Sequence, residues 1–137
     1  MPTLHCTRVA VVTTVSPPST AIQKMLHAPG WCTVVVGDVK TPGKAYANLL
    51  DPRRHIYLSV DAQLSAGFAL ARRTPLNHFG RKNLDYLHAV RMGAWQIFDF
   101  DDDNELIDVS LPEFAVAPGT MPAYLRRAGT CMHARCV

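Results

Sequence analysis

Cys32-Thr33-Val34-Val35-Val36-Gly37-Asp38 is the stretch on which the fold turns. A short apolar run occupies 32–36, and Gly-Asp-Val-Lys-Thr-Pro closes it over 37–42. Such a run, bounded by turn residues, predicts a buried strand, with Asp38 standing at its carboxyl end.

On the amino-terminal side, 9–15 is a second, β-branched run closed by Ser16-Pro17-Pro18. Ser19 is placed to cap a helix over 20–27 that Pro29-Gly30 ends. On the carboxyl-terminal side, 56–59 predicts a short third strand, and Asp61 is placed to cap a helix reaching about Arg73, before Pro75. A further helix starts near Phe79. Leu84, Leu87, Val90 and Ala94 recur along it at helical spacing, Gly93 is placed to stop it, and 95–100 is the fourth strand. Strands alternating with helices predict an α/β domain, a parallel sheet with helices on both faces, over 1–110. Over 111–137, Pro112, Pro118 and Pro122 interrupt any helix or central strand, so an irregular tail is expected in which only 123–128 has weak helical character. No internal repeat is present.

With 137 residues, 48% apolar and 18% charged, the chain is sized for one core and too apolar to be a disordered polyelectrolyte. A net charge of +3 is too mild to imply nucleic-acid binding, but its distribution is uneven. Six of the eleven acids lie between Asp99 and Asp108, a stretch without Lys or Arg; the remainder holds all fourteen Lys and Arg against five acids. An acidic knot in a basic body suits a cation and an anionic ligand bound side by side. Four cysteines do not make a disulfide scaffold at this length, and Cys32, inside an apolar run, is expected to be a small buried hydrophobe. Cys131-Met132-His133-Ala134-Arg135-Cys136 offers three soft ligands without a partner pair at zinc-site spacing and is expected to be a frayed tail. No segment has the basic-then-apolar pattern of a leader or the ~18 apolar residues of a membrane span, so the chain as written is expected to be soluble.

In open α/β sheets ligands bind outside the carboxyl ends of the strands. Thr13 and Thr14 end the first strand, Asp38 follows the second, and Asp101 to Asp103 follow the fourth; topology predicts that they converge on one crevice. Three adjacent carboxylates, directly after Ile97-Phe98 on an expected buried strand, would be costly without a hard divalent cation, Mg²⁺ or Mn²⁺. An EF-hand is excluded, because Asn104 stands where its loop needs Gly and Ser110 where it needs Glu. Ile97-Phe98-Asp99-Phe100-Asp101 resembles the nucleophile strand of haloacid-dehalogenase phosphatases, with Asp99 attacking phosphorus and Asp101 as acid/base. Asp102 and Asp103 replace the Gly and Thr or Val that continue that motif.

Arg81 and Lys82 fall on the first turn of the predicted helix from Phe79, where cations oppose the macrodipole and a bound anion would reverse the sign. A phosphate site is the expectation. The dinucleotide Gly-x-Gly-x-x-Gly pattern is absent, and the run from Gly37 to Gly43-Lys44 has one residue too many for a P-loop, with Ala45 lacking the hydroxyl for Mg²⁺. What survives is a metal-bridged diphosphate, its remaining charge neutralised by Arg81 and Lys82.

Val34-Val-Val-Gly-Asp38-Val-Lys40-Thr-Pro42, Tyr57-Leu-Ser59, Arg81-Lys-Asn83-Leu-Asp-Tyr86-Leu87 and Gly93-Ala-Trp-Gln-Ile-Phe-Asp-Phe-Asp101-Asp-Asp-Asn104, taken together, resemble the STELLO-like glycosyltransferases. The resemblance runs over residues 7–105. These enzymes are similar in turn to GT-A-type nucleotide-sugar transferases, whose Asp-x-Asp motif ends a strand and binds a divalent metal and a nucleotide diphosphate sugar. The resemblance implies a Rossmann-like GT-A fold, a UDP-sugar donor, and Mn²⁺ or Mg²⁺ as cofactor. It places Thr13, Thr14 and Asp38 near base and ribose, Asp101 at ribose or metal, Asp103 at the metal, and Arg81 and Lys82 at diphosphate or sugar. Lys40 is a further donor-site candidate. The tail is too short for the acceptor-binding half of a complete domain. A donor-binding half is therefore expected, with the acceptor unassigned and turnover by this chain alone left open; a non-catalytic nucleotide-sugar-binding remnant is the alternative. A Golgi location is implied for a full-length relative, the cytoplasm being the alternative for a chain without an anchor.

Overall fold

The computed structural model describes residues 6–107, so the boundary at 110, the tail and the Cys131–Cys136 cluster lie outside the described residues. Within them the fold is α/β. Four strands, β1 (Arg8–Thr14), β2 (Cys32–Gly37), β3 (His55–Leu58) and β4 (Gln96–Asp99), form one sheet in the order β3-β2-β1-β4. Every pairing is parallel, with Val11 opposite Val34 on one side and opposite Asp99 on the other.

The two central strands are buried because helices cover both faces. On one face Ala10, Val12 and Val35 pack with Ile22, Met25 and Leu26 of α1 (Thr20–Leu26) and with Tyr46 of α2 (Gly43–Leu49). On the other, Val9, Val11, Val34 and Val36 pack with Ala71 of α4 (Ala69–Arg73) and with Leu84 and Ala89 of α5 (Lys82–Arg91). Between β3 and α4 lies α3 (Val60–Ser65), and a 3₁₀ turn, Phe79–Arg81, leads into α5. Ser19 caps α1 as its sequence position predicts, its hydroxyl accepting from the Ile22 N–H.

Several expectations are corrected. The loop after β2 ends as expected at Pro42 and leads into α2, an element left unassigned from sequence, held by Tyr46, which is fully buried and stacked on Tyr57 at 5.1 Å. The helix expected over 61–73 is two helices, broken where Gly67 takes φ +81°, and its cap is Ser59 rather than Asp61. On α5, Val90 is 64% exposed; Asp85 and His88 join Leu84 and Ala89 on the buried side. The fourth strand is shorter than expected and lies at the sheet edge, with Ile97 exposed, so the carboxylates after it leave an edge and not a buried strand. Cys32 is not a free thiol: it is bonded to Cys6.

Candidate functional site

Strand order decides where a crevice can open. The chain steps from β1 outward to β2 and β3, then returns to place β4 on the other side of β1, so the connections diverge at the carboxyl end of β1. A cleft of about 370 Å³ lies there, lined by Thr13, Thr14, Val15, Ser16, Asp38, Lys40, Asn77, His78, Phe79 and Asp102.

Each wall has a local cause. Thr41 stitches β1 to β2: its hydroxyl donates to the Thr14 carbonyl at 2.6 Å and accepts the Asp38 N–H at 2.7 Å. The Tyr46 hydroxyl donates to the Ser16 carbonyl at 2.9 Å and fixes the loop after β1. Asp38 is 6% exposed; Oδ1 accepts the Val39 N–H at 2.7 Å and Oδ2 the Asn77 N–H at 2.8 Å. That second bond draws the Asn77-His78-Phe79 turn over the cleft. On the β4 side, the Thr14 hydroxyl donates to Asp102 Oδ2.

Of the residues picked out from sequence, Thr13, Thr14, Asp38 and Lys40 do line the cleft. Arg81 does not. It is 1% exposed and lies behind Asp38, its Nε 3.9 Å from Asp38 Oδ2 and 2.9 Å from Gln63 Oε1, its Nη1 donating to the Thr74 carbonyl at 3.0 Å. Gln63 is equally buried and donates in turn to the Gly37 and Leu58 carbonyls at 2.6 and 2.8 Å. Lys82 places its ammonium 2.8 Å from Asp99 and 2.5 Å from Asp101. Partial burial opposes that charge, but the two carboxylates outweigh it and hold the amine well above its ordinary range. Asp99 also accepts from the Tyr86 hydroxyl, and this bond, ahead of burial, pushes the phenol up to about 12.

Asp101 and Asp103 lie on a turn in which the Asn104 side-chain oxygen accepts the Asp101 N–H at 2.9 Å and the Asn104 N–H donates to the Asp101 carbonyl at 3.1 Å. It is Asp102 between them that lines the cleft. From sequence, Asp102 comes to the crevice as part of the 101–103 run but has no role of its own, and Asn77, His78 and Phe79 are not assigned to the cleft. The strand ends at Asp99, so strand alternation does not carry into the acidic turn; for the other three, only the unusual Asn77, at φ +52°, marks the turn.

Behind the cleft the Thr13 hydroxyl donates to Asp85 Oδ2 at 2.6 Å, while Asp85 Oδ1 has no hydrogen-bond partner among the described residues. Burial drives this carboxyl well above its ordinary range, against the Thr13 bond and the Lys82 charge.

No protein-family model matches the chain. Two curated Arabidopsis thaliana proteins do. "Probable glycosyltransferase STELLO1" is 33% identical and "Probable glycosyltransferase STELLO2" 35% identical, each over 101 residues. Over these residues the chain is a STELLO-like sequence. The match takes in 74% of this chain and 12% of either relative's length, so this STELLO-like segment spans about an eighth of the curated proteins it matches. Among its described residues no helix is long and apolar enough to cross a membrane.

Proposed function

We propose that the STELLO-like segment is the donor-binding part of a metal-dependent, GT-A-type glycosyltransferase, taking a nucleotide diphosphate sugar, a UDP-sugar, into the cleft at the end of β1. One observation carries this: Thr13, Thr14, Asp38, Lys40 and Asp102, from three separate strand ends, meet around one cleft at the switch point of the sheet. The similarity to two glycosyltransferases supplies the class.

The threonine hydroxyls and the free lone pairs of Asp38 suit the N–H and O–H groups of a base and ribose. Arg81 serves as a positioning residue, holding Asp38 and the Gln63 link from behind rather than touching the diphosphate. Lys40, on the cleft wall, is the cation placed for a phosphate, while Lys82 keeps a second positive charge beside Asp101.

The donor set fits Mn²⁺ or Mg²⁺ in its substrate-bridged form. Asp101 and Asp103 are exposed and offer hard oxygens; among the described residues no three or more His, Cys, Asp or Glu group into a cage. Such ions take one or two carboxylates and complete their shell with water and substrate phosphates, so Asp103, with Asp101, would hold the ion. When bound, it would neutralise the diphosphate as leaving group. The phosphatase alternative needs Asp99 as a nucleophile, but Asp99 is tied to Lys82 and Tyr86 and does not line the cleft; Asp101 and Asp103, which do not line it either, would meet a diphosphate only through the bridging ion, and Asp101 would exchange its Lys82 partner for that ion.

Cys6–Cys32 suits an oxidising compartment, as a Golgi-lumenal location of the full-length protein would provide. Isothermal titration of the full chain with UDP, with and without Mn²⁺, tests the proposal. Mn²⁺-dependent binding that Asp103→Ala abolishes is expected; no UDP heat under either condition would overturn it.

A further inference from the structure

The cleft is lined in part by an aromatic ring that contributes nothing to the core. Phe79 is 85% exposed yet lines the cleft. A scattered exposed Phe needs no explanation, but this one is held in place by a chain of specific contacts. Asn77 takes the left-handed conformation and is pinned to Asp38 through its N–H. That turn brings His78 to the cleft, where Nδ1 accepts the Gly80 N–H at 3.0 Å and fixes the imidazole. A Cβ at residue 80 would stand 2.9 Å from the same Nδ1, so only glycine leaves the ring its place. Phe79 then stacks on His78, centroids 4.5 Å apart and planes 27° apart. One face of the phenyl is backed by imidazole and the other is open.

The geometry points to Phe79 as a stacking platform for a planar ring of the ligand, and, resting on the donor-site proposal above, that ring is the nucleobase. The division of labour follows from chemistry. Thr13, Thr14 and Asp38 offer hydrogen bonds to the edge of a base and to ribose, whereas Phe79 has no polar atom and recognises only a face. Phe79 therefore contributes to nucleoside affinity and nothing to phosphate affinity, the reverse of Lys40.

The full chain, as wild type, Phe79→Ala and Phe79→Trp, is titrated with UDP, uridine and inorganic pyrophosphate in the presence of Mn²⁺. Base–aromatic stacking predicts that Phe79→Ala weakens UDP and uridine alike, by about 10-fold, and leaves pyrophosphate unchanged. Phe79→Trp restores both, and its added indole emission is quenched by uridine and not by pyrophosphate. An exposed ring is dispensable to the core, so the melting temperature of Phe79→Ala should match wild type, which separates stacking from unfolding. Wild-type affinity of Phe79→Ala for UDP and uridine, or a loss confined to UDP, overturns the stacking role while the donor site stands. A wild-type chain that binds neither UDP nor uridine overturns both.

Discussion

Arg81 is the largest fully buried side chain among the described residues, and its guanidinium bonds to Gln63 and to the Thr74 carbonyl beside Asp38. Truncation would leave a buried carboxylate without its cation and the Gln63 oxygen without a donor. Arg81→Ala should therefore cost about 3–5 kcal/mol of unfolding free energy, and Arg81→Lys should not rescue it, because an ammonium cannot reproduce the planar fork. Urea unfolding checks this; an unchanged midpoint with loss of UDP binding alone would put the guanidinium in the cleft instead. Two adjacent cations at a helix start are legible in sequence as an anion site, but sequence does not say which of them faces inward. Asp85 shows the same blindness to burial. Its folded pKa lies above the ordinary 3.8, so the stability tied to its neutral form is complete below that value and is lost as pH rises towards the folded pKa. Asp85→Asn, neutral at every pH, should be more stable than wild type at pH 8 and lose that advantage at pH 4, as read by urea midpoints.

At the scale of elements, β1 and β2 were legible because helices on both faces make each an unbroken apolar run, a pattern local sequence carries by itself. The fourth strand and α5 were legible as elements, but which of their sides face inward was not, because that is set by partners far along the chain. On α5 the buried side carries Asp85, which accepts from the Thr13 hydroxyl, and His88, which meets Phe68 edge-on at 5.0 Å, so the apolar period misnames the inner side. His88 gives this element a pH dependence of the opposite sign to that of Asp85. Burial first, and Arg91 second, push its imidazole down to about 4. The unfolded chain then takes up a proton that the folded one refuses, and stability present above pH ~6.5 falls as pH drops towards 4. His88→Phe should flatten that limb of the stability–pH curve, and a curve unchanged in shape would mean the imidazole is not the group responsible. The second helix was missed because Gly43 and Pro42 signal a loop. Its anchor is the Tyr46–Tyr57 stack, and Tyr57 in turn covers Gly37, where a Cβ would stand 2.3 Å from the Tyr57 hydroxyl. Gly37→Ala must displace that ring, and overpacking of this kind should cost about 1–3 kcal/mol in the same urea assay.

Over the whole molecule, the cleft and the disulfide lie at opposite ends of the sheet. All four strands run the same way; the cleft opens where β1 and β2 end, while Cys32 begins β2. The bridge ties the segment before β1 to that starting edge, where the Cys6 N–H also donates to the Met92 carbonyl at 3.0 Å and the Thr7 carbonyl accepts from Trp95 and Gln96 at 2.8 and 2.9 Å. The amino-terminal segment is thereby fastened to β2, to the end of α5 and to the start of β4 at once. Sequence could not pair these cysteines: it shows Cys32 in a buried run, and only the parallel register of β1 with β2 brings Cys6 within bonding reach. A bridge with a sequence separation of 26 restricts the unfolded chain by about 3–4 kcal/mol in the loop-entropy account. Cys6→Ser/Cys32→Ser, or the wild-type chain in reductant, should lose that much unfolding free energy. The cleft stands on bonds made at the other end of the strands, through Thr41, Asp38 and Asn77, and not through the bridge. Below the melting temperature, UDP affinity of the double variant should therefore stay within about twofold of wild type, a shift of ~0.4 kcal/mol. Equal stability with and without reductant would show that the bridge contributes nothing to the fold; a large loss of UDP affinity in a still-folded variant would show that the two ends of the sheet are coupled.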